Sequence, residues 1–385
     1  MAESIALGLP DWIDTAAHLH DAAAPRVLAV CESEGPNRFD LLAAVNLAVA
    51  DARTRVRTLF FDDRRNAEVA VSVAHSVAQA RATAVIGHFA SVAALPASRV
   101  YRDQNVLFLA PGASHPALCD MTHGTTLQFF GSDDGQIACL DSVATPASNA
   151  LVLAQRGNYG ERIGQALFER LAATAAGARI VYLRPDEPAS PGRLAADHNL
   201  IYLCGSQEFS MRFAAALRFR PGTTCVFSDD AYTAALQTPP PGAHVYAAFL
   251  DMVGDTVIDQ SQAALSSRAS ALLGRPPGPY FLTSYIALRA LCRAWQAHSP
   301  NDTNHTNAVL QTLKQAEWQT PFGLLSLKPN GELHGCTWRL VKAGGDVAER
   351  RDVLHDNGAT TFNFAVPRPF DLDGTDYLLQ RELPA

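Results

Sequence analysis

The sequence predicts an α/β protein of two lobes, each a parallel sheet flanked by helices. Three observations carry this. Short apolar runs alternate with longer stretches of helical periodicity. The alternation occurs twice along the 385 residues, in two halves alike in plan but without a fixed-period repeat. Loops of small residues follow several of the runs, at points where a strand hands over to a helix.

The elements follow in order. Residues 1–25 form an N-terminal extension whose Glu3, Asp11 and Asp14 interrupt any leader-like apolar run. It is expected to dock on the body as a short amphipathic helix. "RVLAVC" (26–31), "VRTLFFDD" (56–63), "ATAVIG" (82–87) and "NVLFLA" (105–110) read as strands, with helices over 38–52, 66–80 and about 92–103 between and after them. Strands apolar along their whole length are covered on both faces, which favours a parallel sheet with right-handed crossovers. The pattern resumes with strands at 149–155, 179–184, 199–205, 223–228 and 242–251, and helices at 159–177, 261–273 and 279–298. "SPNDTNHTN" reads as a loop. "GLLSLKPNGELHGCTWRLVKAG" reads as an antiparallel hairpin turning at Asn330-Gly331.

Composition bounds the function. Apolar residues make up 48% and charged residues 18%, enough to build a core in each of two domains. The net charge is -7 and Lys occurs only at Lys314, Lys328 and Lys342, so no basic block offers a nucleic-acid surface. No apolar run reaches membrane-spanning length, and no membrane insertion is expected. The seven cysteines (Cys31, Cys119, Cys139, Cys204, Cys225, Cys292 and Cys336) form no CxxC pair, so neither a structural zinc nor any cofactor is expected. Buried free thiols fit a reducing compartment. The chain as written is expected in the cytoplasm, or in the periplasm if a leader has been removed.

Two loops stand out, "GHFAS" (87–91) and "APGASHP" (110–116). Gly after a strand permits a tight turn, and amides at the next helix start receive an anion. With the hydroxyls of Ser91 and Ser114 they make a neutral cradle for a carboxylate or amide. The plainer reading is two turns with Ser as a helix cap. Asp133-Asp134 in "FFGSDDGQ" and Asp229-Asp230 in "VFSDDAY" either hold an ammonium group or serve as solvated turn and cap residues. Asp62-Asp63 suits turn formation before Asn66. No HExxH, nucleophile elbow or Walker loop is present. An enzyme would have to draw its base or nucleophile from His88, Cys31 or Glu32.

These stretches, with "PAS" at 96–98, Tyr101, "NYGERIG" and "GPYFLTSYIAL" in the same order, resemble the type I periplasmic solute-binding proteins over about residues 26–345. The resemblance is to the branched-chain amino-acid and amide-binding family. It implies a two-lobed fold joined by three crossover strands, with lobe 1 formed by 26–144 and 252–321 and lobe 2 by 145–251 and 322–360. A tail follows at 361–385. It implies non-enzymatic binding of an amino acid or amide by lobe closure, for uptake with an ABC permease or for sensing through a regulatory protein. By the resemblance Ser91 matches the serine that binds the ligand carboxylate, Ser114 matches a hydroxyl residue that meets the ligand, with Gly112 and Ala113 on the same ligand-binding loop, and Asp133 and Asp229 match acids near the ammonium. Helices bordering the first lobe offer a face for a homodimer.

The chain also departs from the family. "YLCGSQ" puts Ser206 where an aromatic lid is usual, and the shortened loop "CESEGPN" either offers Glu32 and Glu34 to the cleft for a cationic or polar ligand or leaves them solvated. "RPDEPASPG" replaces part of a helix between 184 and 199. These changes leave open a scaffold with a decayed pocket.

Overall fold

The structure is a computed structural model that describes residues 9–343, apart from 15, 120–123, 158, 188–193, 234–235, 237–240, 252–255 and 302–304. It forms two compact units. One takes the chain to Ser132 and again over 252–336, and the other takes Asp133–Asp251 and resumes at Thr337. The chain therefore passes from unit to unit three times within the described residues.

The first unit opens with a short helix, α1 (Asp11–Asp14), and a 3₁₀ turn at Ala17–Leu19. The described part of the N-terminal extension packs on the unit. Ile13 and Leu19 are fully buried, and the Thr58 hydroxyl donates to the Leu19 carbonyl at 2.7 Å. There follow β1 (Val27–Cys31), α2 (Pro36–Ala52), β2 (Arg57–Phe61), α3 (Ala67–Gln79), β3 (Ala84–Gly87), α4 (Ser91–Asp103), β4 (Leu107–Ala110) and β5 (Thr126–Gln128). All five strands are parallel, in the order β2-β1-β3-β4-β5. Ala29, Val85 and Phe108 of the sheet pack with Ala70, Ala74 and Val77 of α3 and with Ala93, Ala97 and Tyr101 of α4. Small residues on both helices let them lie close to the strands.

The second unit holds α5 (Asp133–Asp141), β6 (Asn149–Gln155), α6 (Tyr159–Thr174), β7 (Gly177–Leu183), β8 (Leu200–Cys204), α7 (Gln207–Ala216), β9 (Thr223–Phe227) and β10 (Ala243–Leu250). A β-carbon on Gly160 would lie 2.4 Å from the Cys204 carbonyl oxygen, so glycine lets the start of α6 press onto the sheet. The chain returns to the first unit as α8 (Thr256–Leu273), α9 (Tyr280–Ala297), α10 (His305–Gln315) and the small antiparallel sheet β11 (Glu317–Thr320), β12 (Gly323–Leu327), β13 (Leu333–His334). It ends the described residues in the second unit as β14 (Trp338–Lys342), antiparallel to β10 in the order β14-β10-β9-β8-β6-β7. Each unit is thus a mostly parallel sheet flanked by helices, the two-lobed α/β architecture read from the sequence.

Several details differ from the sequence reading. The expected loop at 299–307 gives way to α10 at His305, whose Val309, Leu310 and Leu313 supply a buried stripe. The expected hairpin is split. β12 and β13 pair around Asn330-Gly331, but Trp338–Lys342 leaves to pair with β10. The compact units divide at 132/133 and 336/337, not at 144/145 and 321/322, because α5 packs on α6 and β14 while β12 and β13 complete the sheet begun by β11. The described residues between 184 and 199 form no helix, in keeping with the shortening expected there. The tail at 361–385 lies outside the described residues.

Candidate functional site

Parallel pairing brings the carboxyl ends of all five strands of the first sheet to one edge. Glu32 follows β1, Asp62-Asp63 follow β2, His88–Ser91 follow β3 and Pro111–Ser114 follow β4. In open α/β sheets this edge is where ligands bind.

Gly87 leads into the loop after β3 at φ 130°, where a β-carbon would lie 1.9 Å from the Cys31 carbonyl oxygen. His88 continues at φ 50°. It is fully buried, with Nδ1 2.8 Å from Asp63 Oδ2 and Nε2 2.8 Å from the Tyr101 hydroxyl. Burial pushes the Asp63 carboxyl up, but the bond to His88, the charge of His88 and the bond from the Arg65 amide outweigh it and leave the carboxyl below its ordinary value. Asp62 and Asp63 also accept the amides of Arg64 and Arg65, the turn role expected of them.

Glu32 was offered by the sequence to the cleft as a ligand contact. The structure instead turns it inward, at 2% exposure, because the Phe89 amide donates to its Oε2 at 2.8 Å. Burial, then the charge of Asp63, raise its carboxyl to about 8. Cys31, with burial first and Asp63 second, has its thiol pushed well up and is no nucleophile. His88 has both ring nitrogens engaged.

Ser91 is the first residue of α4, and Ala90 at the cap position supplies no side-chain bond, so the amides of the first turn have no side-chain partner. Ser91 is therefore not the helix cap of the plainer reading. Ser114 is 5% exposed and makes no side-chain hydrogen bond among the described residues, while His115 caps the following turn through Nδ1 and the Ala117 amide at 3.1 Å. The loop around Gly112 and Ala113 is fixed from three sides. Gln128 Nε2 donates to the Ala113 carbonyl at 2.9 Å, Thr283 donates to Pro111 at 2.7 Å, and Gly112 lies against the Phe89 and Tyr280 rings. Ser91, Ser114 and the start of α4 thus lie at the ends of the paired strands β3 and β4.

The second unit has an edge of its own. Asp133 begins α5, fully buried and ion-paired with Arg162 in the first turn of α6. Asp229 follows β9 at 3% exposure and accepts the side-chain amide of Gln136. The Tyr159 hydroxyl donates to the Gly205 carbonyl at 2.8 Å and lies 3.0 Å from Ser228 Oγ. Burial, then the charge of Asp229, hold that phenol well above its ordinary value. Ser206 caps α7, its Oγ accepting from the Phe209 amide at 3.3 Å and its own amide donating to Gln155 at 2.7 Å. Asp230 accepts the Gln207 amide at 3.0 Å, the cap role that was one of its two readings.

The structure thus brings Ser91, Gly112, Ala113, Ser114 and Glu32 to one sheet edge, and Asp133, Ser206 and Asp229 to another. Sequence reasoning did not single out Gln136, Tyr159 or Arg162. Tyr159 and Arg162 lie within "NYGERIG", the one signal that pointed to them. Among the described residues no cluster of His, Cys, Asp and Glu is arranged to hold a metal ion, and no helix is long and apolar enough to cross a membrane.

Comparison with known proteins adds to this geometry. A family model described as periplasmic binding protein matches residues 38–346. An amino acid binding protein of Pseudomonas aeruginosa is 24% identical over 309 residues, covering 75% of this chain and 79% of that protein. An ABC transporter substrate-binding protein from Desulfitobacterium hafniense, solved in complex with Leu, superposes with a TM-score of 0.65 at 18% identity, over 82% of this chain and 97% of that one. A solute-binding protein of an ABC transporter from R. palustris, in complex with benzoate, gives a TM-score of 0.66 at 13% identity, over 83% and 93%. At these identities the solved structures share the fold.

Proposed function

The chain belongs to the periplasmic binding protein family, one of binding proteins and not of enzymes, and on that premise we propose that it binds a small polar solute, an amino acid or an amide. The observation that carries the reading is the strand-end edge of the first unit, where Ser114 makes no side-chain hydrogen bond among the described residues and α4 starts without a side-chain cap. Such an edge suits a carboxylate or an amide oxygen. Asp229 in the second unit is the acid proposed for the solute's ammonium group, with Asp133 neutralised by Arg162. The binding motion proposed is closure of the two lobes, which lets a solute shift an open–closed equilibrium.

Two uses follow from one binding event. Uptake requires an ABC permease as partner and a periplasmic location. Sensing requires a regulatory protein or a second copy of the chain, and suits the cytoplasm. Native mass spectrometry of the purified protein, followed by a thermal-shift screen of amino acids and their amides, tests the solute class. No retained solute and no stabilisation across the screen would reject it. For the acid, Asp229→Ala is expected to keep the fold and weaken amino-acid binding by about 2 kcal/mol, roughly 30-fold, in calorimetric titration. Unchanged affinity would remove Asp229 from the site.

A further inference from the structure

At the edge of the first sheet some polar side chains make no hydrogen bond among the described residues and others are already engaged. Glu32 is engaged on both oxygens. Oε2 accepts the Phe89 amide at 2.8 Å and Oε1 accepts the Ser33 hydroxyl at 3.2 Å. Ser33 Oγ in turn accepts from Arg65 Nε at 2.9 Å, and the Glu32 carbonyl accepts from Arg38 at 2.8 Å. The neighbouring residue of the same loop is gripped from the other side, since His88 lies 2.8 Å from Asp63 and 2.8 Å from Tyr101. His88 has φ 50°, in the left-handed region that residues with a β-carbon adopt uncommonly.

These contacts fix Gly87, His88 and Phe89 two residues ahead of Ser91. A buried acceptor aimed at one amide defines the height at which the chain leaves β3 and the direction in which α4 starts. The donors proposed for the solute, Ser91 and the first amides of α4, are carried on that start.

We propose that Glu32 is the positioning residue of the solute-binding loop. It holds the Phe89 amide, and through it Ser91 and the first turn of α4, in the geometry that receives the solute, without touching the solute. This rests on the reading of Ser91 as a solute contact. It assigns the acid of the shortened loop after β1 a role that sequence alone does not show.

The test compares Glu32→Gln, which keeps an oxygen acceptor, with Glu32→Leu, which removes it. Hydrogen exchange of the Phe89 amide is followed by NMR, and L-leucine and L-alaninamide binding by calorimetry. The expected result is a Phe89 amide protected in the wild type and in Glu32→Gln, but exchanging about tenfold faster or more in Glu32→Leu. Affinity for whichever probe the wild type binds should fall in the same order, with Glu32→Gln close to the wild type.

If Glu32→Leu does not fold, the wild type still decides the matter. Its Phe89 amide resonance should move as the Glu32 carboxyl titrates near pH 8 among Asp63, Arg65, Ser33, Arg38 and His88, and this movement should vanish in Glu32→Gln. Unchanged Phe89 exchange in a folded Glu32→Leu, or an amide resonance that moves alike in wild type and Glu32→Gln, overturns the anchor. A loosened Phe89 with unaltered affinity overturns the positioning role. A wild type that binds neither probe, nor any amino acid or amide in the wider screen, overturns the solute reading, and is told apart by intact Phe89 protection.

Discussion

Gly87 and Glu32 show how two side-chain choices fix one loop. A β-carbon at Gly87 would collide with the Cys31 carbonyl oxygen at 1.9 Å, at a φ of 130° that other residues avoid. The neighbour is backbone within the sheet and has no rotamer to yield. Gly87→Ala is therefore expected to cost about 3 kcal/mol or more in urea unfolding, since strained backbone and overpacking add. Glu32 leaves a different signature. Its carboxyl is raised from 4.5 to about 8 by burial and by the charge of Asp63. Between those values the unfolded chain has lost this proton and the folded chain keeps it. Stability must therefore fall as pH rises across the window, by up to about 1.4 kcal/mol per pH unit, and level off above it. Asp63, shifted down, acts in the opposite sense, and only at pH values below its ordinary range. Urea midpoints from about pH 5 to about pH 8 should therefore fall in the wild type and run flatter in Glu32→Gln. Equal slopes would place the titration elsewhere.

Elements became legible from the sequence in proportion to how local their signals are. The runs "RVLAVC" and "NALVLAQ" are apolar because both faces of their strands are covered, and they stand within a residue or two of β1 and β6. Thr126–Gln128 and Glu317–Thr320 are strands that no run announces. β5 is three residues long and polar in sequence, and takes its conformation from pairing with β4. Trp338–Lys342 looked like the second arm of a local hairpin. Its place is set instead by the free edge of β10, far away in sequence. The site divides in the same way. Ser91 and Ser114 were visible because they follow apolar strands, whereas Asp63 and His88 stand 25 residues apart and Gln136 and Asp229 stand 93 apart, a pairing only the fold creates. One local signal can be measured directly. Asn66 Oδ1 accepts the amides of Glu68 at 2.9 Å and Val69 at 3.1 Å, closing the start of α3. Asn66→Ala is expected to cost about 1 kcal/mol, read as a lower urea midpoint with unchanged m-value.

At the scale of the whole chain the cysteines report on both units together. All seven are free, Cys31, Cys119 and Cys292 being buried in the first unit and Cys204 and Cys225 in the second, with Cys139 and Cys336 partly exposed. Burial raises them all. Cys119, Cys139 and Cys204 reach about 12, and Cys292 and Cys336 about 11. A thiol reacts as its thiolate, so access and ionisation suppress reactivity in the same direction here. The cysteines behave as small apolar core residues, and this explains their wide spacing and odd number without any pairing. In mildly alkaline buffer the native protein should release colour from a disulfide reagent such as DTNB only slowly, and from no more than the two partly exposed thiols, Cys139 and Cys336. In guanidinium all seven should react at once. Because each unit contributes buried thiols, the course of the reaction through partial denaturation shows whether the units open together or in turn. Three buried thiols appearing before the other two would mark the first unit as the weaker, two before three the second, and five in one step a single cooperative transition. Rapid reaction of Cys31 or Cys204 in the native state would contradict the packing of the sheets on which both strand-end edges depend.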